Sequence, residues 1–166
     1  LGDCRVSIRN ASAVDTPAIY ALLEEMYRSS PYVDRDQIDA RLAKALIVQA
    51  IQRHGGHNDG STWVQVAVTD DGAVCGFIIG MLDRVYHIGQ NLMATDLFFY
   101  ANQDADPRDA IRLLDGLIGW AESNPKVIEI KLGAVDTVGD YRRTEKLFQR
   151  RGFEQCGVIY AKEVRP

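Results

Sequence analysis

The sequence predicts an α/β domain of the α+β type, with a mixed, largely antiparallel sheet of about six strands flanked by about four helices. Three observations carry this expectation. From Thr62 to Leu82 an alternating run through Val64, Val66 and Val68, the turn residues Asp70-Asp71-Gly72 and a second apolar run together read as a hairpin. Leu92 to Ala101 is mostly apolar with consecutive aromatics, which suits a strand covered on both faces. That strand leads to a helix with a marked start: Asp106 as N-cap, Pro107 in the first helical position and Asp109 in the first turn.

Composition limits the classes of function. With 166 residues, 46% hydrophobic and 25% charged, the chain can bury a full core, so one domain over residues 1–166 is expected. A formal charge of -4 announces no basic surface, and a nucleic-acid partner is not expected. No apolar run reaches the roughly 20 residues that span a bilayer, and the start does not read as a secretion signal. The expected place is the cytoplasm. Cys4, Cys75 and Cys156 lie far apart in strand-like contexts and are expected as buried, reduced thiols.

The elements follow in order. Cys4 to Arg9 alternates as a half-exposed strand does. A first helix runs from Asp15 through Ile19, Leu22, Leu23 and Met26 and stops at Ser29-Ser30-Pro31. A second is expected from near Asp34, with Gln37 completing a capping box and Ile38, Leu42, Ala45, Leu46 and Gln49 on its buried side, up to Gly55-Gly56. The loop containing His54, His57 and Asp59 lacks a full ligand set and reads as a flexible polar loop with no metal. His87, in the linker before the central strand, is a minor candidate for a base. In the central helix Leu113, Leu114, Leu117, Ile118 and Ala121 form one stripe. Lys126 to Leu132 alternates as a strand. A short helix from about Asp140 to Arg151 ends at Gly152 in a left-handed cap, and Glu154 to Val164 reads as the last strand.

This order, with Leu147-Phe148-Gln149-Arg150-Arg151-Gly152-Phe153 closing the last helix, resembles the GNAT superfamily of acyl-CoA-dependent N-acyltransferases, whose closing helix commonly ends in Leu-Tyr-x-x-x-Gly-Phe. Asp96-Leu97-Phe98-Phe99-Tyr100 placed before a helix is similar to GNAT-like proteins encoded by bacteriophages. The resemblance implies acetyl-CoA as cofactor and transfer of an acetyl group to a small-molecule or protein amine. It implies that the central strand's backbone at Phe99, Tyr100 and Ala101 pairs with the pantetheine arm. The next helix start, with Arg108, would then meet the pyrophosphate. Asp96 or Glu129 would serve as base, and Tyr141 as acid, because the family's usual tyrosine falls on Phe148.

The family's Arg/Gln-x-x-Gly-x-Gly/Ala motif aligns with Asp106, Asp109 and Ile111, so each of its defining positions is changed. Two carboxylates at a helix start oppose a diphosphate, and Asp106 can cap the amides that would bind it. A second expectation follows: a catalytically inactive GNAT-like structural or protein-binding module without cofactor, using a protein partner or self-association, with a phage particle as its alternative location. Arg142, Arg143, Lys146, Arg150 and Arg151 give the closing helix a basic side, read as a solvated face, with contact to an acidic partner as the sharper alternative.

Overall fold

The computed structural model describes residues 7–135 and 140–165. Its sheet contains β1 (Ser7–Asn10), β2 (Thr62–Val68), β3 (Val74–Arg84), β4 (Leu92–Ala101) and β5 (Val127–Lys131), in that spatial order. The first four strands pair antiparallel, and β5 pairs parallel to β4. Five strands are therefore present among the described residues, against about six expected.

Alternation along the strands builds two cores. On one face α1 (Thr16–Arg28) and α2 (Ala40–Gln52) cover Val64, Val66, Phe77 and Ile79. On the other, α3 (Pro107–Glu122) lays Leu113, Leu117 and Trp120 over Ile78, Leu82 and Ala94. Each fully buried Ile, Leu or Phe contributes about 1.5–3 kcal/mol by leaving water. The last helix, α4 (Tyr141–Arg150), lies beside α3, to which Arg151 is tied by a forked pair with Asp115 at 2.6 and 3.2 Å. Gly152 ends it with φ +86, as its left-handed cap requires, and Phe153 donates its amide to Phe148 O at 3.1 Å.

Several expectations are corrected. The second helix begins at Ala40, because Asp39 accepts from the Leu42 amide at 3.0 Å, whereas Asp36 takes the Gln37 amide in a turn at 2.8 Å. That start turns Ile47 and Ala50 inward and leaves Leu42 68% exposed. The loop after α2 is pinned: Trp120 Nε1 donates to Gly56 O at 3.1 Å and Asn124 Nδ2 to His57 O at 2.9 Å. His54 Nδ1 accepts from the Val64 amide at 2.9 Å, and burial lowers its pKa. Among the described residues no group of His, Cys, Asp and Glu is gathered for a metal. Glu154 to Val164 forms no strand, since a cleft separates its first part from β5. Cys156 on that segment is exposed, while Cys75 is buried. Cys4 lies outside the described residues. No helix is long and apolar enough to cross a membrane among the described residues.

Candidate functional site

The site is organised by a bulge in β4. Ile79 pairs with Phe98 but Gly80 pairs with Asp96, so Leu97 has no opposite residue. The extra residue exchanges the faces of the strand. Before it, Leu92 and Ala94 belong to the core under α3; after it, Phe98 and Tyr100 belong to the core under α1 and α2, while Phe99 turns to α3. Pairing with β5 ends at Thr95, opposite Lys131. From Asp96 to Ala101 the far edge of β4 has no strand partner among the described residues.

Asp96 stands where the strands part. It lies opposite Gly80, half-buried, and accepts from the Gly133 amide just after β5 at 3.1 Å. Burial raises its pKa above the usual carboxylate value, against the lowering effect of the Gly133 amide. Gly80 leaves room here for Leu117: a Cβ on it would come 2.2 Å from Leu117 Cδ1, and that side chain would have to move. Farther along the strand, Tyr100 donates its hydroxyl to Glu25 Oε1 of α1 at 3.0 Å. Burial, with the Glu25 carboxylate, pushes the Tyr100 phenol up to about 12. Phe99 and Tyr100 thus commit their side chains to opposite cores, and Ala101 pairs with Gly76, leaving only backbone at the open edge.

The start of α3 is closed on itself. Asp106 accepts from the Arg108 amide at 2.8 Å, and Asp109 Oδ2 returns the contact by accepting from the Asp106 amide at 2.9 Å. Pro107 has no amide to offer. Arg108 folds back onto Asp106 with contacts of 2.8 and 3.1 Å and holds that carboxyl down to about 2. Asp109 is fully buried, with Arg112 at 3.6 Å from its Oδ1. The charge at this helix end is supplied by the protein itself.

The remaining candidates are not gathered around Asp96. Glu129 is exposed on β5 and lies 3.3 Å from Lys131; Tyr141 opens α4, with the Arg142 guanidinium 5.5 Å from its ring centre. Both line a cleft of about 540 Å³ between β5, α3, α4 and residues 152–157, and Asp96 is not part of that lining. His87 is exposed in a turn, 3.5 Å from Asp83. The basic residues of α4 are exposed, with Arg142 3.7 Å from Asp140. Sequence reasoning missed the Gly133 amide and the Leu97 bulge. Neither carried a signal, because Leu97 continues an apolar run and Gly133 looks like any turn glycine.

No protein-family model and no curated protein sequence matches the chain. Solved structures do. An aminoglycoside N-acetyltransferase in complex with CoA superposes with a TM-score of 0.69 at 16% identity, covering 99% of this chain and 98% of that one. A ribosomal-protein-alanine N-acetyltransferase from Brucella melitensis biovar Abortus gives 0.63 at 19% identity over 96% and 99% of the two chains. Glucosamine-6-phosphate N-acetyltransferase from Arabidopsis thaliana gives 0.70 at 8% identity over 97% and 99%. At such identities the likeness concerns architecture, and in architecture this chain is a GNAT-like α/β domain.

Proposed function

We propose that this domain is a catalytically silent relative of the acetyl-CoA N-acetyltransferases and works as a protein-binding module. The observation that carries the reading is the reciprocal capping at the start of α3. A diphosphate at a helix start needs first-turn amides and a positive end. Here the Arg108 amide is engaged by Asp106, Pro107 has none, and the Asp106 carboxylate meets an incoming anion with the buried Asp109 carboxylate behind it. The open edge of β4 fits an extended pantetheine-like arm, but the adjoining helix end does not fit the diphosphate that such an arm carries in CoA.

Titration calorimetry with CoA and acetyl-CoA tests this. No heat of binding is expected from the unaltered protein. Asp106→Ser keeps an N-cap while removing one charge, so it should move the protein toward measurable CoA binding. Binding by the unaltered chain, with acetyl transfer to any amine, would overturn the reading.

A second reading is favoured by Asp96. A half-buried carboxyl with a raised pKa, beside an open strand edge, has the properties of a base toward an ammonium group. Acetyl-CoA would supply the acetyl thioester, and a small-molecule or protein amine would be the acceptor. Steady-state assays against a panel of amines decide it: turnover that falls at least tenfold in Asp96→Asn supports this reading, and absence of turnover removes it.

A further inference from the structure

The closing helix is polarised across its axis. Of the residues of α4, those exposed are Arg142, Arg143, Lys146, Gln149 and Arg150. Its one carboxylate, Glu145, is half-buried and lines the cleft beside β5 together with Phe148. Steps of three and four residues put Arg143, Lys146 and Arg150 on one line, about 10 Å from end to end along the axis. Among the described residues none of these three is in an ion pair with a carboxylate, whereas Arg142 lies 3.7 Å from Asp140 and Arg151 is forked onto Asp115.

The helix itself gains little from this pattern. Arg142 and Lys146, and again Lys146 and Arg150, are like charges four residues apart, and they repel. Arg142 and Arg143 stand in the first turn, where the helix end is already positive; only Arg150, in the last turn, suits the dipole. A merely solvated face has no need of one sign set against the helix's own preference. A stripe of this kind is completed by an anion from outside.

We propose that this face of α4 docks a short acidic segment of a partner protein, whose carboxylates meet Arg143, Lys146 and Arg150. Charge complementarity selects the class of partner, and the surroundings select a short segment over a nucleic acid. Asp140 caps one end of α4, Asp115 stands at the other beside Arg151, and the chain as a whole carries -4. A long polyanion running past the helix would therefore meet like charge at both ends. A partner helix with carboxylates at spacings of three and four presents them in register with the stripe. The docking deepens the binding-module reading and rests on it, by naming the chemistry of the partner.

Fluorescence anisotropy tests it with three labelled probes. The first is a peptide with glutamate at alternating spacings of three and four residues on an alanine background. The second has lysine in place of each glutamate, and the third is an oligodeoxythymidine of similar length. At about 0.1 M salt, where exposed charges more than roughly 10 Å apart are screened, the unaltered chain should bind the glutamate peptide alone. Arg143→Glu/Lys146→Glu should weaken that binding at least tenfold and take up the lysine peptide instead. The same variant should melt no lower than the unaltered chain, because a glutamate in the first turn suits the helix end and one at position 146 faces Arg142 and Arg150. Unfolding then does not account for the loss. No binding of the glutamate peptide, binding indifferent to the reversal, tighter binding of the oligodeoxythymidine, or a lower melting temperature in the variant overturns the proposal; the last would mean that the stripe already has a partner within the chain. Titration of the same samples with CoA separates the two ideas. A charge-dependent peptide complex in a chain that also binds CoA refutes the silent domain and leaves the docking face intact, whereas a chain that takes neither does the reverse.

Discussion

Asp96 and Asp106 are aspartates at the two ends of one strand-to-helix passage, and their surroundings push them in opposite directions. Asp106 is partly exposed with Arg108 folded onto it, and its pKa falls to about 2. Asp96 is withdrawn into the sheet with one backbone amide for company, and its pKa rises. The first is a charge that closes a helix end. The second is a carboxyl whose ionisation the fold resists, at the place where the backbone is open. The two ends have different physical origins: a bulge and the end of β5 at Lys131 leave the β4 edge without a strand partner among the described residues, whereas side-chain identity at a few positions closes the helix start. A GNAT-like architecture is therefore compatible with a helix start that is capped by the chain's own carboxylates.

The largest expected effect strikes the closed end. Asp109→Ala takes the acceptor from the Asp106 amide and empties a fully buried position, and should lower the free energy of unfolding by about 3 kcal/mol in urea titrations. If the loss is only a few tenths, α3 does not depend on its cap and the contrast with Asp96 weakens. Next, Gly80→Ala drives a methyl into Leu117 opposite the bulge, where packing is complete, and should cost about 2 kcal/mol. An unchanged urea midpoint would mean that α3 can shift away from the open end without loss.

The remaining predictions concern acid. Asp106 has a folded-state pKa below the unfolded value of 3.8, so its stabilisation is present above about pH 4 and is lost as the pH falls toward 2. Asp106→Ala should remove that part of the acid transition, as seen in melting temperatures measured down the pH scale. Asp96 has the opposite sign. Its folded-state pKa lies above 3.8, so ionisation costs stability at neutral pH, and the cost is relieved as the pH falls from that raised value to about 3.8. Asp96→Asn retains an oxygen for the Gly133 amide and should melt slightly higher at pH 7, with the difference gone near pH 4. Carboxyl carbon shifts followed by NMR should show Asp96 titrating above Asp106; the reverse order would remove the comparison.

Much of this was legible in the chain itself. The hairpin, the central strand and α3 with its cap announce themselves through alternation, turn residues and capping chemistry, all of which act over a few neighbours. The second helix was misplaced because Asp34, Asp36 and Asp39 are equally good caps locally, and the choice falls to whichever start turns Ile47 and Ala50 onto the sheet. The segment after Phe153 has a strand's pattern yet forms none, because a strand exists only when an edge pairs with it.

The sequence by itself determined the order of the elements, the two apolar faces of the sheet and the self-capped start of α3, since each is a short-range consequence of side-chain size, polarity and backbone preference. Tertiary structure alone decided that Leu97 bulges, that pairing of β4 with β5 stops at Thr95, and that Glu129 shares a cleft with Tyr141 while Asp96 stands apart. Those outcomes depend on which residues from distant parts of the chain come to lie opposite one another. Gly80 accommodates Leu117 and the Gly133 amide reaches Asp96 only after the sheet has formed.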